Sequence, residues 1–307
     1  MAAQASQNRS LKRFPVFWQN IEQAVSDAIG LTFTIDHKTG LSGGSINSAY
    51  RISGGGHHYF LKLNQADKLD MFEAEAEGLR ELSNAKAIRV PMPVCFGGTE
   101  DKSWLVTEYI KLGSGAGDSA QKLGQQLAAL HRNSSERFGW FRDNTIGSTA
   151  QANRWSENWI KFYRDYRLLY QLRLAAKNGF TGSLQLKGER LLENLDVFFS
   201  TYSPIPSLLH GDLWGGNCAF DETGQPVIFD PAVYYGDREA DIAMTELFGG
   251  FGSGFYDAYN KAWPLDEGYR VRKTLYNLYH ILNHANLFGS SYASQAESMM
   301  DRLLAEI

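Results

Sequence analysis

The sequence predicts an α+β chain in two lobes: a small β-rich N-terminal lobe with one embedded helix, then a larger, mainly helical C-terminal lobe. Three observations carry this. Short runs of alternating polar and apolar residues fill the first part of the chain. A glycine- and serine-rich break, KLGSGAGDS, interrupts it at residues 111–119. Beyond the break, the long segments space their apolar residues as helices do. The lobes so read span residues 14–107 and 118–307, with 108–117 as the hinge.

Taken in order, FPVFWQNIEQAVSDAIG puts Phe17, Ile21, Ala24, Val25 and Ala28 on one helical face, with Gly30 placed to end it. LTFTIDHKTGL and INSAYRISGGGHHYFLKLN alternate, and the triple glycine reads as a hairpin turn between strands 46–52 and 57–63. LDMFEAEAEGLRELSNA consists largely of strong helix formers, with Phe72, Leu79 and Leu82 on one side. Strands follow at Val94–Gly97 and Trp104–Thr107. Helices are expected at Ser119–Arg132, Trp155–Lys177, Leu186–Tyr202, Phe255–Lys261 and Glu267–Leu287. In the second of these, Trp155, Trp159, Phe162, Tyr166, Leu169 and Tyr170 form a wide stripe that reads as core packing. Its Lys161, Arg164, Arg167 and Arg173 read as a solvated face.

Composition narrows the function class. The chain has 307 residues, 43% hydrophobic and 21% charged, with a net charge of −4. That balance gives no electrostatic case for nucleic acid or an anionic membrane as partner. Cys95 and Cys218 are too few and too far apart for a disulfide framework, which points to a reducing compartment. The N-terminus lacks a signal-length apolar core and no stretch reaches membrane-spanning length, so cytoplasmic residence is expected. A monomer or weak dimer is expected.

The most specific stretch is LLHGDLWGGNCAF, residues 208–220. Asp212 and Asn217 stand five apart, the spacing of base and metal-binding asparagine in phosphoryl-transfer loops. A second carboxylate, Asp230, follows the apolar run Val227, Ile228 and Phe229. Carboxylate and carboxamide oxygens are the hard donors that magnesium takes. Upstream, Lys62 alternates with Phe60 on a strand, and Glu75 lies thirteen residues on in the helix, with Glu73 and Glu77 near enough to compete. A strand lysine held by a helix carboxylate is what transfer from ATP needs at the phosphates. LSGGSINSAYRI, with Gly43, Gly44 and Ser45, can cradle an anion with successive N–H groups or be an ordinary turn. A hydrolase using His210 and Asp212 would need a serine or cysteine nucleophile motif, and none accompanies them. Protein kinases carry arginine where this chain has Gly211, and Tyr235, Gly236 and Asp237 follow Asp230 too soon for a long activation segment. A small-molecule or side-chain kinase therefore fits better than a phospho-switched one.

With GGSINSAYRI, YFLKLN, MFEAEAEGL, LVTEYI, GQQLAALHR, FGWFRDNTIGSTAQANRWSENW, LLHGDLWGGN and IFDPAVYYGDREADIAM, the chain resembles the fructosamine/ketosamine kinase family, in the aminoglycoside-phosphotransferase-like branch of the protein-kinase-like fold. The resemblance implies ATP- and Mg2+-dependent phosphorylation of the 3-hydroxyl of a ketosamine, free or linked to lysine, and a role in deglycation. It implies Asp212 as catalytic base, Asn217 and Asp230 as magnesium ligands, Lys62 on the phosphates and Glu75 orienting it. Glu108, Tyr109 and Ile110 would offer adenine backbone hydrogen bonds. His210 and Asp237 would support the loop, Asp237 fixing it, and Trp214 would lie on the sugar face or in the core. Where some relatives carry cysteine, this chain has Ser45, so no thiol switch is expected there. The alternatives are an aminoglycoside- or choline-type phosphotransferase of the same fold and a non-catalytic nucleotide-binding pseudokinase.

Overall fold

In the computed structural model, which describes residues 16–41 and 46–307, the chain divides into two units. One takes the described residues up to Leu69 together with Val94–Glu108; the other takes Asp70–Pro93 and Tyr109–Ile307.

In the first unit, α1 (Val16–Ile29) buries Ile21 and Val25 of the expected face together with Trp18, which that spacing leaves out, while Phe17 and Ala24 are half-buried and Ala28 is exposed; Gly30 follows at φ +71°. Strands β1 (His37–Leu41), β2 (Ser48–Gly54), β3 (His57–Gln65), β4 (Pro93–Gly98) and β5 (Lys102–Glu108) form one sheet in the order β1-β2-β3-β5-β4. Gly55 and Gly56, at φ +57° and +83°, make the two-residue turn from β2 to β3. Two successive positive φ values match the right-handed twist of the flanking strands, which is why glycines occupy this turn. Ile52, Leu61, Leu63, Trp104 and Val106 pack with the α1 residues into one core. Lys62 alternates with Leu61 and Leu63, so it points to the other face of β3.

The second unit begins with α2 (Leu69–Asn84), whose Phe72, Ala76, Leu79 and Leu82 are buried. The sequence groups this helix with the strands around it, whereas from Asp70 onward its contacts lie with the later chain. Gly78, for example, faces the Val233 and Pro231 side chains, and Glu81 accepts a hydrogen bond from the Tyr235 hydroxyl at 2.7 Å. The glycine-rich break is not wholly irregular: β6 (Leu112–Gly113) pairs antiparallel with β10 (Cys218–Asp221). Then come α3 (Ser119–His131), the hairpin β7 (Asn144–Ile146) and β8 (Thr149–Gln151), α4 (Trp159–Tyr163), α5 (Leu169–Lys177) and α6 (Ser183–Glu193). Strands β9 (Ser207–Leu209), β11 (Pro226–Ile228) and β12 (Tyr234–Gly236) lead to α7 (Glu239–Leu247), α8 (Ser253–Ala262), α9 (Tyr269–Phe288) and α10 (Ser290–Leu304). β12 pairs with β9 and β11 with β10, so the segments before and after the motif at 210–217 are each tied into ladders of three residue pairs.

Three expectations are corrected here. The helix expected from Trp155 begins at Trp159, because the Asn158 side chain accepts the Lys161 N–H at 2.8 Å and caps it; Trp155 lies outside it. Arg167 is not on a solvated face. It is fully buried, its guanidinium 4.1 Å over the Tyr234 ring, and it donates to the Ala152 carbonyl and Asn153 Oδ1, both at 2.7 Å. Residues Arg164–Leu168 form a wider π turn, which departs from the 3.6-residue spacing behind the expectation. The segment expected as one helix at Leu186–Tyr202 is α6 followed by a tighter 3₁₀ turn, Leu195–Phe199.

The β10–β11 turn carries a pH-dependent brace. The Thr223 hydroxyl foremost, then the Gln225 and Thr223 N–H groups and Arg89, all donate to Asp221 and hold its carboxyl down at about 2. A depressed folded value contributes stability in full above the unfolded value of about 4 and loses it as pH falls toward 2. The gap in thermal midpoint between the native protein and Asp221→Asn is therefore expected to be constant from pH 8 to 5 and to narrow from 4 to 2.

Candidate active site

The turn after β9 is built around His210 and Gly211. His210 is buried; its Nε2 donates to the Phe229 carbonyl at 2.9 Å, and its Nδ1 accepts the Asp212 N–H at 3.3 Å. That pairing sets one neutral tautomer, and burial, the largest influence, lowers the imidazole's pKa further from charge. Gly211 adopts φ +84°, and a Cβ on it would lie 2.0 Å from the Ala232 carbonyl oxygen. An arginine cannot occupy this position in this loop, which gives a steric reason for the glycine noted in the sequence.

The loop hangs on a carboxylate that sequence reasoning gave too small a part. Asp241, in the first turn of α7, accepts the His210 N–H at 2.7 Å on one oxygen and the Gly211 N–H at 2.8 Å on the other. His131 Nε2 donates to it at 3.2 Å, and the far nitrogen of that ring bonds the Tyr259 hydroxyl at 2.8 Å. Burial alone would raise the Asp241 pKa, but the hydrogen bond and charge of His131 and the loop N–H hold it below the ordinary value. The sequence gives the loop-fixing part to Asp237. The structure instead has Asp237 accepting from the Tyr202 and Tyr276 hydroxyls and from the Glu239 N–H, within the helical bundle. The signal for Asp241 was present as the second aspartate of DREAD, but its reach back over thirty residues depends on the fold.

Asp212, Asn217 and Asp230 come together within the second unit. Asn217 Nδ2 donates to the Asp212 backbone oxygen at 2.9 Å, to Asp212 Oδ2 at 3.2 Å and to the Asp230 backbone oxygen at 3.5 Å. Asp230 sits at φ +58°, a left-handed conformation uncommon for a residue with a side chain and typical of strained functional positions. Burial and then the Asp230 carboxylate push the Asp212 acid up to about 7, against the opposing bond from Asn217. A carboxylate so poised can take a proton from a hydroxyl near neutral pH. Trp214 is 39% exposed, which removes the core alternative for it.

The other candidates are distributed as follows. Lys62 is buried on β3 and Glu108 ends β5, both in the first unit; Tyr109 and Ile110 open the second stretch of the other unit. Glu75 lies on α2 in the second unit. Its competitors are engaged elsewhere: Arg142 binds Asp70 at 2.6 Å, Glu77 at 2.5 Å and Glu73 at 3.7 Å. Those three share one helical face, and Glu75 points well away from it. Gly43, Gly44 and Ser45 lie outside the described residues.

An antiparallel sheet carrying a buried lysine, a helical unit and an aspartate–asparagine–aspartate loop define a class: a phosphotransferase of the protein-kinase-like fold. The aminoglycoside phosphotransferase APH(4)-Ia shares that fold, with a TM-score of 0.59 at 16% identity, covering 92% of this chain and 98% of that one. Within the class, the profile of the fructosamine kinase family matches residues 17–306, and the chain belongs to that family. A "probable ketoamine kinase" of Synechocystis sp. is 47% identical over 291 residues, 94% of this chain and 98% of that protein. The chloroplastic protein-ribulosamine 3-kinase of Arabidopsis thaliana is 44% identical over 267 residues, 86% of this chain and 81% of its own. The crystal structure of a candidate fructosamine-3-kinase from Haemophilus somnus has a TM-score of 0.86 at 31% identity, covering 94% of this chain and 97% of that one. Among the described residues, no helix is long and apolar enough to cross a membrane.

Proposed function

We propose that the protein transfers the γ-phosphoryl group of ATP to the 3-hydroxyl of a ketosamine, a step that leads to deglycation. The observation that carries this is the Asp212–Asn217–Asp230 group, in which a base tuned to about 7 stands beside two further oxygen-bearing side chains. Asp212 takes the hydroxyl proton as the sugar oxygen bonds to phosphorus and the bond to the bridging oxygen of ADP breaks, with no phosphoenzyme. Lys62 contacts the phosphates and Glu75 is its carboxylate partner, a choice favoured by the commitment of Glu73 and Glu77 to Arg142. The Glu108–Ile110 backbone serves adenine, and the Gly43–Ser45 stretch serves the phosphates. His210 and Asp241 keep the loop in shape.

The residues fit a magnesium ion. The Asn217 amide nitrogen is spent on Asp212, which leaves its carbonyl oxygen as donor beside the Asp230 carboxylate. One carboxylate and one amide oxygen, completed by water and phosphate, suit this ion. When bound, it neutralises charge on the transferring phosphates. The same reading places the protein in the cytoplasm, as a monomer or weak dimer, with Cys95 and Cys218 as free thiols.

The test is ATP turnover across fructose-lysine, ribulose-lysine, psicose-lysine and an aminoglycoside panel. Turnover is expected on at least one ketosamine and on no aminoglycoside. Activity confined to the aminoglycosides would overturn the assignment of acceptor.

A further inference from the structure

From the catalytic loop, a chain of aromatic rings runs across the helical unit. Trp214 meets Phe248 at a centroid distance of 6.1 Å, and Phe248 meets His284 on α9 at 5.1 Å. His284 in turn meets Phe288 at 5.4 Å and Tyr292 on α10 at 5.1 Å. The wall has a built-in seat at the loop, because a Cβ on Gly216 would lie 2.3 Å from the Trp214 ring. It is not core: Trp214, Phe248 and Phe288 remain 39, 37 and 58% exposed. Contiguous exposed apolar surface of this kind is unfavourable in water and marks a place where something binds.

One polar atom interrupts the rings. His284 Nδ1 donates to the His280 carbonyl at 2.7 Å, which leaves Nε2 as an acceptor, and no donor bonds to it among the described residues. The wall therefore offers π-faces together with one acceptor nitrogen, a combination suited to an alkylammonium group. It starts two residues after Asp212. In a ketosamine the amine-bearing carbon is only two carbon–carbon bonds from the carbon whose hydroxyl must reach Asp212. The amine arm must then leave across the surface that flanks the loop.

We propose that this wall binds the amine arm of the ketosamine, its methylenes lying on Phe248, Phe288 and Tyr292 and its amine N–H donating to His284 Nε2. The inference rests on the reading of the loop as a ketosamine-kinase site and adds the part of the acceptor that the enzyme selects by. It makes the lysine-linked adduct a better acceptor than the same sugar on ammonia.

Two acceptors with one sugar test it: a fructose-lysine peptide and 1-amino-1-deoxyfructose, which has no arm. Phe288→Ala and Phe248→Ala are expected to lower kcat/KM about tenfold on the peptide, the scale of one lost aromatic contact, and at most about twofold on the armless sugar. His284→Ala is expected to lower it on both acceptors, and His284→Gln, which keeps an acceptor atom, to recover part of the loss. Thermal unfolding checks that each variant is folded, and the 58% exposure of Phe288 makes its truncation safe for the fold. Equal losses on the two acceptors from Phe248→Ala and Phe288→Ala, or no loss on either, would overturn the wall while leaving the kinase reading intact. A native protein inactive on both acceptors would overturn the kinase reading itself, and the wall with it.

Discussion

Asp212→Asn is expected to lower ketosamine phosphorylation by about 10²–10⁴-fold, the range associated with losing a positioned general base, with no loss of thermal midpoint. The carboxamide keeps an oxygen for the Asn217 amide, whose bond to Asp212 Oδ2 is 3.2 Å. It also removes one of two carboxylates whose mutual repulsion helps raise the Asp212 acid to about 7. Activity and stability should therefore separate at this residue, as they do where a site holds charge that the fold alone would avoid. Steady-state kinetics with calorimetry on the same preparation check both halves. Near-native turnover would move the base elsewhere and dissolve the assignment of the loop.

Asp241→Ala is expected to produce the largest loss of stability. It strips two buried loop N–H groups and His131 of their common acceptor, with bonds at 2.7, 2.8 and 3.2 Å. Leaving a buried donor without its acceptor costs about 1–3 kcal/mol for each group, and three such losses in a chain of this size lower the midpoint by on the order of 10 °C. Turnover should fall as well, since the turn that presents Asp212 loses its anchor. Asp237→Asn is the informative comparison. It disturbs the Tyr202 and Tyr276 bonds and should cost stability while sparing turnover per folded molecule. Equal losses of turnover in both variants would return the loop-fixing role to Asp237.

What could be read from the chain beforehand follows a physical divide. Features determined by near neighbours were legible: the helix α1 and its end at Gly30, the hairpin at Gly55 and Gly56, the helix-forming run of α2, and the spacing of Asp212, Asn217 and Asp230. Features determined by distant packing were not. α7 shows no clean amphipathic pattern because Glu239, Ala240, Asp241, Ile242, Ala243, Met244 and Thr245 are all buried. Strands β7, β8, β9 and β12 are three residues each, too short for alternation to register. Arg167 looked like a surface cation because nothing local announces the Tyr234 ring that covers it. Arg142, some seventy residues away, binds Glu73 and Glu77, and nothing local to the helix announces that pairing.

The bonds from Asp241 to His210 and Gly211 also bear on time. Loops that carry functional groups usually open on their own, and their amides exchange with solvent quickly. Here two backbone amides of the motif are sealed against a carboxylate 1% exposed, inside the first turn of a buried helix. Their protons can exchange only when α7 itself lets go. The motif thus shares the lifetime of the bundle's interior, and Asp212 keeps its place with it.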